Sequence, residues 1–351
     1  MRDVVAGGGV AEGGADRFGV AVVGCGLIGR RRAAVAAAHP ATRLVAVVDT
    51  DADRAGSLAA EHRAEALRDW RAAIARADVD AVVVATPNGF LREIGCAALA
   101  LGKHVLLEKP MGRNLAEARA LADAAASSGR VLKVGFNHRY HPGLARALEI
   151  VRAGVIGRVV TIRARYGHGG RPGCETEWRA DPALAGGGEL TDQGVHVADL
   201  IHGCAGLPRH AVAFLQTAVW GIAPLEDNAH GLFRFEDGAV AQLHVSMTQW
   251  KNLFSFEVYG ERGSVSVEGL GGSYGVERLV VARRNPAGGV PELEEESYPG
   301  EDVSWRLEWD DFVAGVRHGR LANGGPDDGV AAMRMVDALY RSAEHGTIVE
   351  V

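Results

Sequence analysis

The chain has 351 residues, 47% of them hydrophobic, and carries a formal net charge of −6 at pH 7. This length is sufficient for two domains with buried cores, and the composition excludes a wholly disordered chain. No cluster of basic residues suits a nucleic acid or an acidic membrane, and no apolar run approaches the about 20 residues of a bilayer span. The four cysteines are scattered without zinc-binding spacing. We therefore expect a cytoplasmic protein without nucleic-acid or membrane partners.

The first third of the chain combines a leader with alternating strands and helices. Residues 1–17 lack the apolar core of a signal peptide and are predicted to form a flexible Gly/Ala-rich leader. Strands covered on both faces are continuous apolar runs, as in GVAVVG, RLVAVVD, DAVVVAT, HVLLE and VLKVGF. Between these runs the pattern predicts helices at 28–38, 52–61, 90–101 and 115–126. The alternation indicates a doubly wound parallel sheet, the Rossmann architecture, over residues 18–136.

The remainder, residues 137–351, is predicted to be a second α/β domain. After a helix at 143–153, strand-like runs follow one another: VVTIRARYG, AVAFLQTAVW, AHGLFRFED, AVAQLHVSMTQ, LFSFEVYG, SVSVEG and ERLVVARR. Turn sequences such as EDG and ERG separate several of these runs and predict hairpins in a large, mostly antiparallel sheet. Further helices are predicted at 189–202, 305–316 and 329–343.

A glycine fingerprint predicts a dinucleotide site. The segment Gly24-Cys25-Gly26-Leu27-Ile28-Gly29 follows the first strand and opens a helix, so its glycines permit a tight turn, a close pyrophosphate and helix packing. Asp49 ends the second strand about 20 residues later, where a carboxylate holds both ribose hydroxyls and repels a 2′-phosphate. The neighbouring Thr50-Asp51 supplies no arginine for such a phosphate. The pattern predicts NAD in preference to NADP; the alternative is a plain strand–helix turn with Asp49 as a helix cap.

Two loops extend this site along the carboxyl edge of the predicted sheet, where ligands bind in open α/β folds. Thr86-Pro87-Asn88 follows the strand DAVVVAT, and Glu108-Lys109-Pro110 follows HVLLE. A lysine in the second loop would lie beside the nicotinamide as a cation that binds the reacting oxygen and lowers its pKa. The alternative is a solvated Lys-Pro loop.

A predicted helix at 189–202 follows a triple glycine, Gly186–Gly188, which would let a ligand approach closely. One stripe of this helix is apolar, and the opposite stripe carries Asp192, His196 and Asp199. A hydroxyl oxidation needs a base that titrates near neutral pH, as histidine does, while Asp192 could orient the substrate or hold the imidazolium. The charge of Lys109 would lower the pKa of His196 and that of Asp192 would raise it. The alternative is an ordinary amphipathic helix whose polar face meets water.

The fingerprint, Glu108-Lys109-Pro110, the segment GFNHRY at 135–140, and the triple glycine leading to Asp192 and His196 occur in this order. Together they resemble the Gfo/Idh/MocA oxidoreductase family from residue 18 to the C-terminus. The resemblance implies that Lys109, Asp192 and His196 form the catalytic set. It also implies that the 137–351 domain binds substrate and forms homodimer or homotetramer contacts through its open sheet.

The implied activity is NAD(H)-dependent interconversion of a secondary alcohol and a ketone on a sugar, a nucleotide sugar, a cyclitol or an amino sugar such as an aminoglycoside. His138, Arg139 and Trp178 are further candidates for substrate binding; Trp178 is available to stack on a sugar ring. A hydrogen bond at the domain junction explains His138 and Arg139 equally well. The thirteen histidines show no metal-ligand spacing, so no metal is expected.

Two alternative functions remain open at this point. An NADP(H)-dependent keto-sugar reductase is disfavoured by the carboxylate of Asp49. A dinucleotide-bound sensor without turnover has no use for a proton relay, and the presence of both Lys109 and His196 argues against it.

Overall fold

The computed structural model describes residues 17–319, 321 and 323–351. The leader predicted at residues 1–17 therefore lies outside the described residues, except for Arg17. Two β-sheets organise the chain, a six-stranded sheet and a nine-stranded sheet.

The six-stranded sheet is the predicted Rossmann sheet. Its strands follow the order β3-β2-β1-β4-β5-β6 and all pair in parallel. The elements are β1 (Phe18–Val23), α1 (Leu27–Ala38), β2 (Thr42–Val48), α2 (Ala52–His62), β3 (Glu65–Leu67), α3 (Trp70–Ile74), β4 (Ala81–Val84), α4 (Asn88–Ala100), β5 (His104–Leu107), α5 (Leu115–Ser128) and β6 (Leu132–Val134). The sequence analysis did not predict β3 and α3, because three and five residues are too few for a recognisable hydrophobic period.

The nine-stranded sheet follows the order β14-β13-β12-β11-β7-β10-β9-β8-β15 and is antiparallel except for the parallel pair β7–β10. Its half of the chain contains α6 (Pro142–Arg152), β7 (Val159–Gly167), α7 (Pro182–Ala185), α8 (Val195–Ala205), β8 (His210–Gln216), β9 (Asn228–Arg234), β10 (Val240–Ser246), β11 (Leu253–Gly260), β12 (Gly263–Glu268), β13 (Glu277–Arg283), β14 (Glu292–Tyr298), α9 (Ser304–His318), α10 (Pro326–His345) and β15 (Val349–Glu350). The sequence analysis missed β14, because its glutamate-rich segment has no buried residue.

The two halves share helices. Trp309, Phe312 and Val313 of α9 belong to the same buried cluster as Val20 of β1 and Val47 of β2. The helix α10 contacts α5 in the Rossmann half and α8 and β8 in the other half. The predicted boundary near residue 137 therefore separates the two sheets, while the closing helices hold both together.

The helix predicted at 189–202 is irregular and buried. A π-helical turn spans Leu190–Gly194 and α8 continues from it. All residues from Val195 to Ile201 are buried, and Asp199 has no exposed surface. The alternative of a polar stripe that meets water is therefore wrong for His196 and Asp199, which are buried, whereas Asp192 is partly exposed. No helix within the described residues is long and apolar enough to cross a membrane.

Candidate active site

A cavity of about 850 Å³ lies between the two halves of the molecule. The glycine fingerprint, Asp49 and the loops after β4 and β5 form its wall on the Rossmann side. The opposite wall comes from β7, the loop before α7 and the π-helical turn. The predicted cofactor loops and the predicted catalytic residues therefore open into one continuous space.

The fingerprint glycines serve the turn and the cavity in different ways. Gly24 has φ +98°, and a Cβ atom there would lie 2.4 Å from the carbonyl oxygen of Ala85. A Cβ at Gly29 would lie 1.7 Å from the carbonyl oxygen of Gly24, so Gly29 allows helix packing and does not line the cavity. A Cβ at Gly26 would have no atom within 4 Å. Gly26, Leu27 and Ile28 border this open space at the start of α1.

The carboxylate of Asp49 lies at the end of β2 and is held by backbone donors. Its Oδ2 accepts a hydrogen bond from Cys25 N (2.8 Å) and its Oδ1 accepts one from Asp51 N (2.9 Å). Two arginines that the local sequence did not reveal also line this part of the cavity. Arg54 pairs with Asp51 at 3.1 Å, and Arg68 donates to the carbonyl oxygen of Thr50 at 3.3 Å.

The loop after β4 contributes Thr86, Pro87 and Asn88 to the cavity wall. Asn88 Nδ2 donates to the carbonyl oxygen of Ala185 at 2.8 Å, so this side chain joins the Rossmann half to the segment before the triple glycine. Thr86 Oγ1 is buried and has no hydrogen-bond partner among the described residues. An unpaired hydroxyl here, the open space at Gly26 and the fixed carboxylate of Asp49 fit a bound dinucleotide.

The segment after β5 is anchored by a buried arginine. Arg32 Nε donates to Glu108 Oε1 at 2.7 Å, and Arg32 Nη1 donates to Glu308 Oε2 at 2.6 Å. The guanidinium lies 4.6 Å from the centre of the Trp305 ring. The sequence analysis missed Arg32, although Glu108 was expected in the cofactor site and does line the cavity. This pairing fixes the backbone next to Lys109.

Lys109 and Asp192 meet across the cavity. Lys109 Nζ donates to Asp192 Oδ1 at 2.6 Å and to the Asp192 carbonyl oxygen at 2.7 Å. Arg179 Nε donates to the other carboxylate oxygen at 2.9 Å. Burial by itself would raise the pKa of Asp192, but the charges of Lys109 and Arg179 hold it below the usual range. Asp192 is therefore ionised and positions the lysine.

His196 lies one turn beyond Asp192 and lines the same cavity. Its ring stacks on His138, with centroids 3.7 Å apart and planes at 19°. Burial, reinforced by the charge of Lys109, lowers the pKa of His196 well below 6.5. Its Nδ1 has no hydrogen-bond partner among the described residues. Stacking on His138, and not the expected contact with Asp192, therefore orients this neutral imidazole.

The triple glycine makes room for protein atoms. A Cβ at Gly187 would lie 2.1 Å from Thr191 Oγ1, and one at Gly188 would lie 2.1 Å from the carbonyl oxygen of Glu226. The Glu226 carboxylate accepts hydrogen bonds from Gly188 N (3.2 Å) and Leu190 N (2.9 Å). These glycines therefore have a packing role at the start of the π-helical turn, and Gly187 and Gly188 also line the cavity, where a ligand could approach them as expected.

Only some of the residues predicted to bind substrate lie at the cavity. Trp178 and His138 line the cavity, whereas Arg139 does not. Arg139 binds both carboxylate oxygens of Asp199 (2.7 and 2.6 Å) and also Asp328 (2.9 Å). The sequence analysis did not identify several other cavity residues, because no local pattern connects them: His141, Tyr166, Glu189, Tyr274 and Trp305.

The fold and the site are those of a Rossmann-type oxidoreductase with a second, mostly antiparallel sheet. Residues 18–136 match the model of an oxidoreductase family with an NAD-binding Rossmann fold, and residues 144–266 match the GFO/IDH/MocA C-terminal domain. GenD2 from gentamicin A biosynthesis, crystallised with NAD, is 31% identical with a TM-score of 0.84 over 99% of both chains. The chain belongs to the Gfo/Idh/MocA family.

Two of the curated relatives are at least 30% identical over shorter stretches. The 1,5-anhydro-D-fructose reductase of Ensifer adhaerens is 35% identical over 63% of this chain and 67% of that protein. The levoglucosan dehydrogenase of Pseudarthrobacter phenanthrenivorans is 30% identical over 56% of this chain and 57% of that protein. The match to the second enzyme thus spans little more than half of its length.

Proposed function

We propose that the protein is an NAD(H)-dependent oxidoreductase that interconverts a secondary alcohol and a ketone on a sugar, an amino sugar, a nucleotide sugar or a cyclitol. One observation carries the proposal. A lysine ammonium, held 2.6 Å from Asp192 Oδ1, and a neutral histidine line the same cavity as the dinucleotide fingerprint. The named activities of the two curated relatives support a sugar-like substrate.

NAD, when bound, would supply the hydride acceptor, and the residues of the chain would handle the proton. In the oxidation direction, His196 accepts the hydroxyl proton, which its lowered pKa permits at neutral pH. Lys109 stabilises the developing alkoxide, and Asp192 keeps the ammonium in place. In the reduction direction, the same groups act in reverse.

The proposed preference for NAD over NADP rests on Asp49. A 2′-phosphate would meet a carboxylate that two backbone N–H groups hold in place. Arg54 and Arg68 lie close enough to reduce this repulsion, so we expect a preference of limited size.

A dehydrogenase screen tests the proposed function. NADH formation is followed by absorbance with free sugars, glycosides, amino sugars, nucleotide sugars and cyclitols, and ketone products are supplied with NADH for the reverse reaction. We expect turnover in at least one class. Tight NAD binding without turnover in either direction for the whole set would favour the sensor alternative.

We also infer that the protein forms a homo-oligomer through the outer face of the nine-stranded sheet. The helices α6, α8 and α10 pack on the inner face. Outward-facing side chains include Phe214, which is 75% exposed, and Leu232, which is 47% exposed. Apolar side chains grouped on one face mark an interface. Sedimentation of the protein and of Phe214→Glu tests this inference, and a monomeric wild-type protein would contradict it.

A further inference from the structure

Glu189 has no part in the proposed proton transfer, yet it lines the catalytic cavity. The residue is only 2% exposed, and its Oε1 has no hydrogen-bond partner among the described residues. Leaving a buried carboxyl oxygen unpaired is energetically unfavourable. A group of this kind at a cavity wall points to a ligand that supplies the missing partner.

Neighbouring groups already satisfy the structural needs of this turn. Glu226 accepts the hydrogen bonds from Gly188 N and Leu190 N, so Glu189 is not required as a cap. Lys109 and Arg179 both bind Asp192. The cations nearest to Glu189 are therefore engaged with another carboxylate.

His168 is the nearest potential donor, but it does not complete the pairing. Its Nε2 lies 3.6 Å from Glu189 Oε1, beyond hydrogen-bond distance. Gly170 N donates to its Nδ1 at 3.0 Å, and burial lowers the pKa of the ring, so His168 is neutral. The imidazole supplies neither a short hydrogen bond nor a positive charge.

The surroundings of Glu189 favour the arrival of a cation. Burial raises the pKa of Glu189 well above 4.5; the charges of Asp192 and Glu226 act in the same direction, and those of Lys109 and Arg179 oppose it. Tyr166 and Tyr274 line this part of the cavity with their ring centroids 5.2 Å apart, and aromatic faces attract cations. A cationic group would ionise Glu189 and form a charge-assisted hydrogen bond with it.

We propose that Glu189 binds a protonated amine of the substrate, so that the preferred substrates are amino sugars or aminocyclitols. This proposal rests on the proposed function and specifies its substrate class. A neutral sugar leaves the carboxyl without an ionic partner, whereas an ammonium group supplies one.

Paired substrates test the proposal. The kcat/KM for oxidation is measured with methyl α-D-glucoside and each of its singly aminated derivatives, and with scyllo-inositol and scyllo-inosamine. We expect at least one amine to exceed its neutral parent by about tenfold or more. Glu189→Gln should abolish this preference, measured as the ratio of kcat/KM for the amine to kcat/KM for its neutral parent.

The control variant is Glu175→Gln. Glu175 is an exposed residue of the same half that does not line the cavity, and its substitution removes one negative charge. The amine preference should survive in this variant. A preference that also survives in Glu189→Gln, or an equal kcat/KM for every amine and its parent in the wild type, would overturn the proposal.

Calorimetry of the wild-type protein with NADH provides a second readout that needs no variant. Amine binding should release protons as Glu189 ionises, measured in buffers of different ionisation enthalpy, and neutral parents should release none. Amine binding without proton release would contradict the role of Glu189. Proton-linked amine binding without turnover would support this role and contradict the proposed function, whereas turnover of neutral parents without amine preference would do the reverse.

Discussion

The two ends of one buried helical segment carry similar ion pairs with different consequences. At the cavity end, Asp192 binds Lys109, and their side chains are 23% and 16% exposed. At the far end, Asp199 binds Arg139, and their side chains are 0% and 3% exposed. Burial raises the pKa of Asp199 to about 6 although Arg139 opposes it, whereas two cations keep Asp192 ionised. An ion pair between a cation and an aspartate thus borders the proposed catalytic site at one end of the segment and stabilises packing at the buried end.

The largest expected effect is the loss of stability when the sealed pair is broken. Arg139→Leu leaves the buried carboxylate of Asp199 without its cation, which should lower the free energy of unfolding by about 3–5 kcal/mol in urea denaturation. Arg179→Leu removes the half-exposed partner of Asp192 and should cost about 1 kcal/mol or less. Equal destabilisation by the two variants would show that burial does not change the contribution of these ion pairs to the free energy of unfolding.

At the cavity end the expected effect is on turnover. Lys109→Ala and His196→Ala should each lower kcat by roughly 10²-fold or more, with cofactor binding nearly unchanged, because both side chains act on the reacting hydroxyl. Steady-state kinetics and NAD titration measure the two quantities. Lys251→Ala, an exposed substitution outside the cavity, is the control. Near-normal kcat in both cavity variants would show that Lys109 and His196 are not catalytic residues.

Cofactor choice tests the Rossmann side of the cavity. Dissociation constants should favour NAD(H) over NADP(H) by about tenfold, or about 1.4 kcal/mol, because of the carboxylate of Asp49. Asp49→Ser should shrink this ratio, and Asp53→Ser, an exposed substitution in the first turn of α2, should not change it. Equal or tighter NADP(H) binding by the wild type would show that Arg54 and Arg68 dominate the site.

The smallest expected effect is that of pH on kcat/KM for oxidation near neutral pH. His196 must be neutral to accept a proton, and its pKa is lowered from 6.5, so kcat/KM for oxidation should stay level through neutral pH. It should fall only as acidification protonates the ring, at a pH below 6.5. His196→Asn should remove this acidic limb. A limb of the same shape in both proteins would assign the ionisation to another group.

The sequence was sufficient to predict the position of several site residues, because each position is set by the strand or helix in which the residue lies. The fingerprint, Asp49 and the loop carrying Lys109 each lie at the end of a strand, and parallel strands bring such ends to one edge. The spacing of Asp192 and His196 placed both on one helical segment. Local periodicity and strand order were sufficient for these features.

Only the tertiary structure decided which charges meet. Arg32 and Glu308 are 276 residues apart in the chain, and no local pattern relates them. The same limit explains why Arg139 was expected in the substrate site and why the isolation of Glu189 could not be anticipated. Hydrophobic periodicity reports the conformation of one segment, whereas the partner and the burial of a side chain depend on how distant segments pack against it.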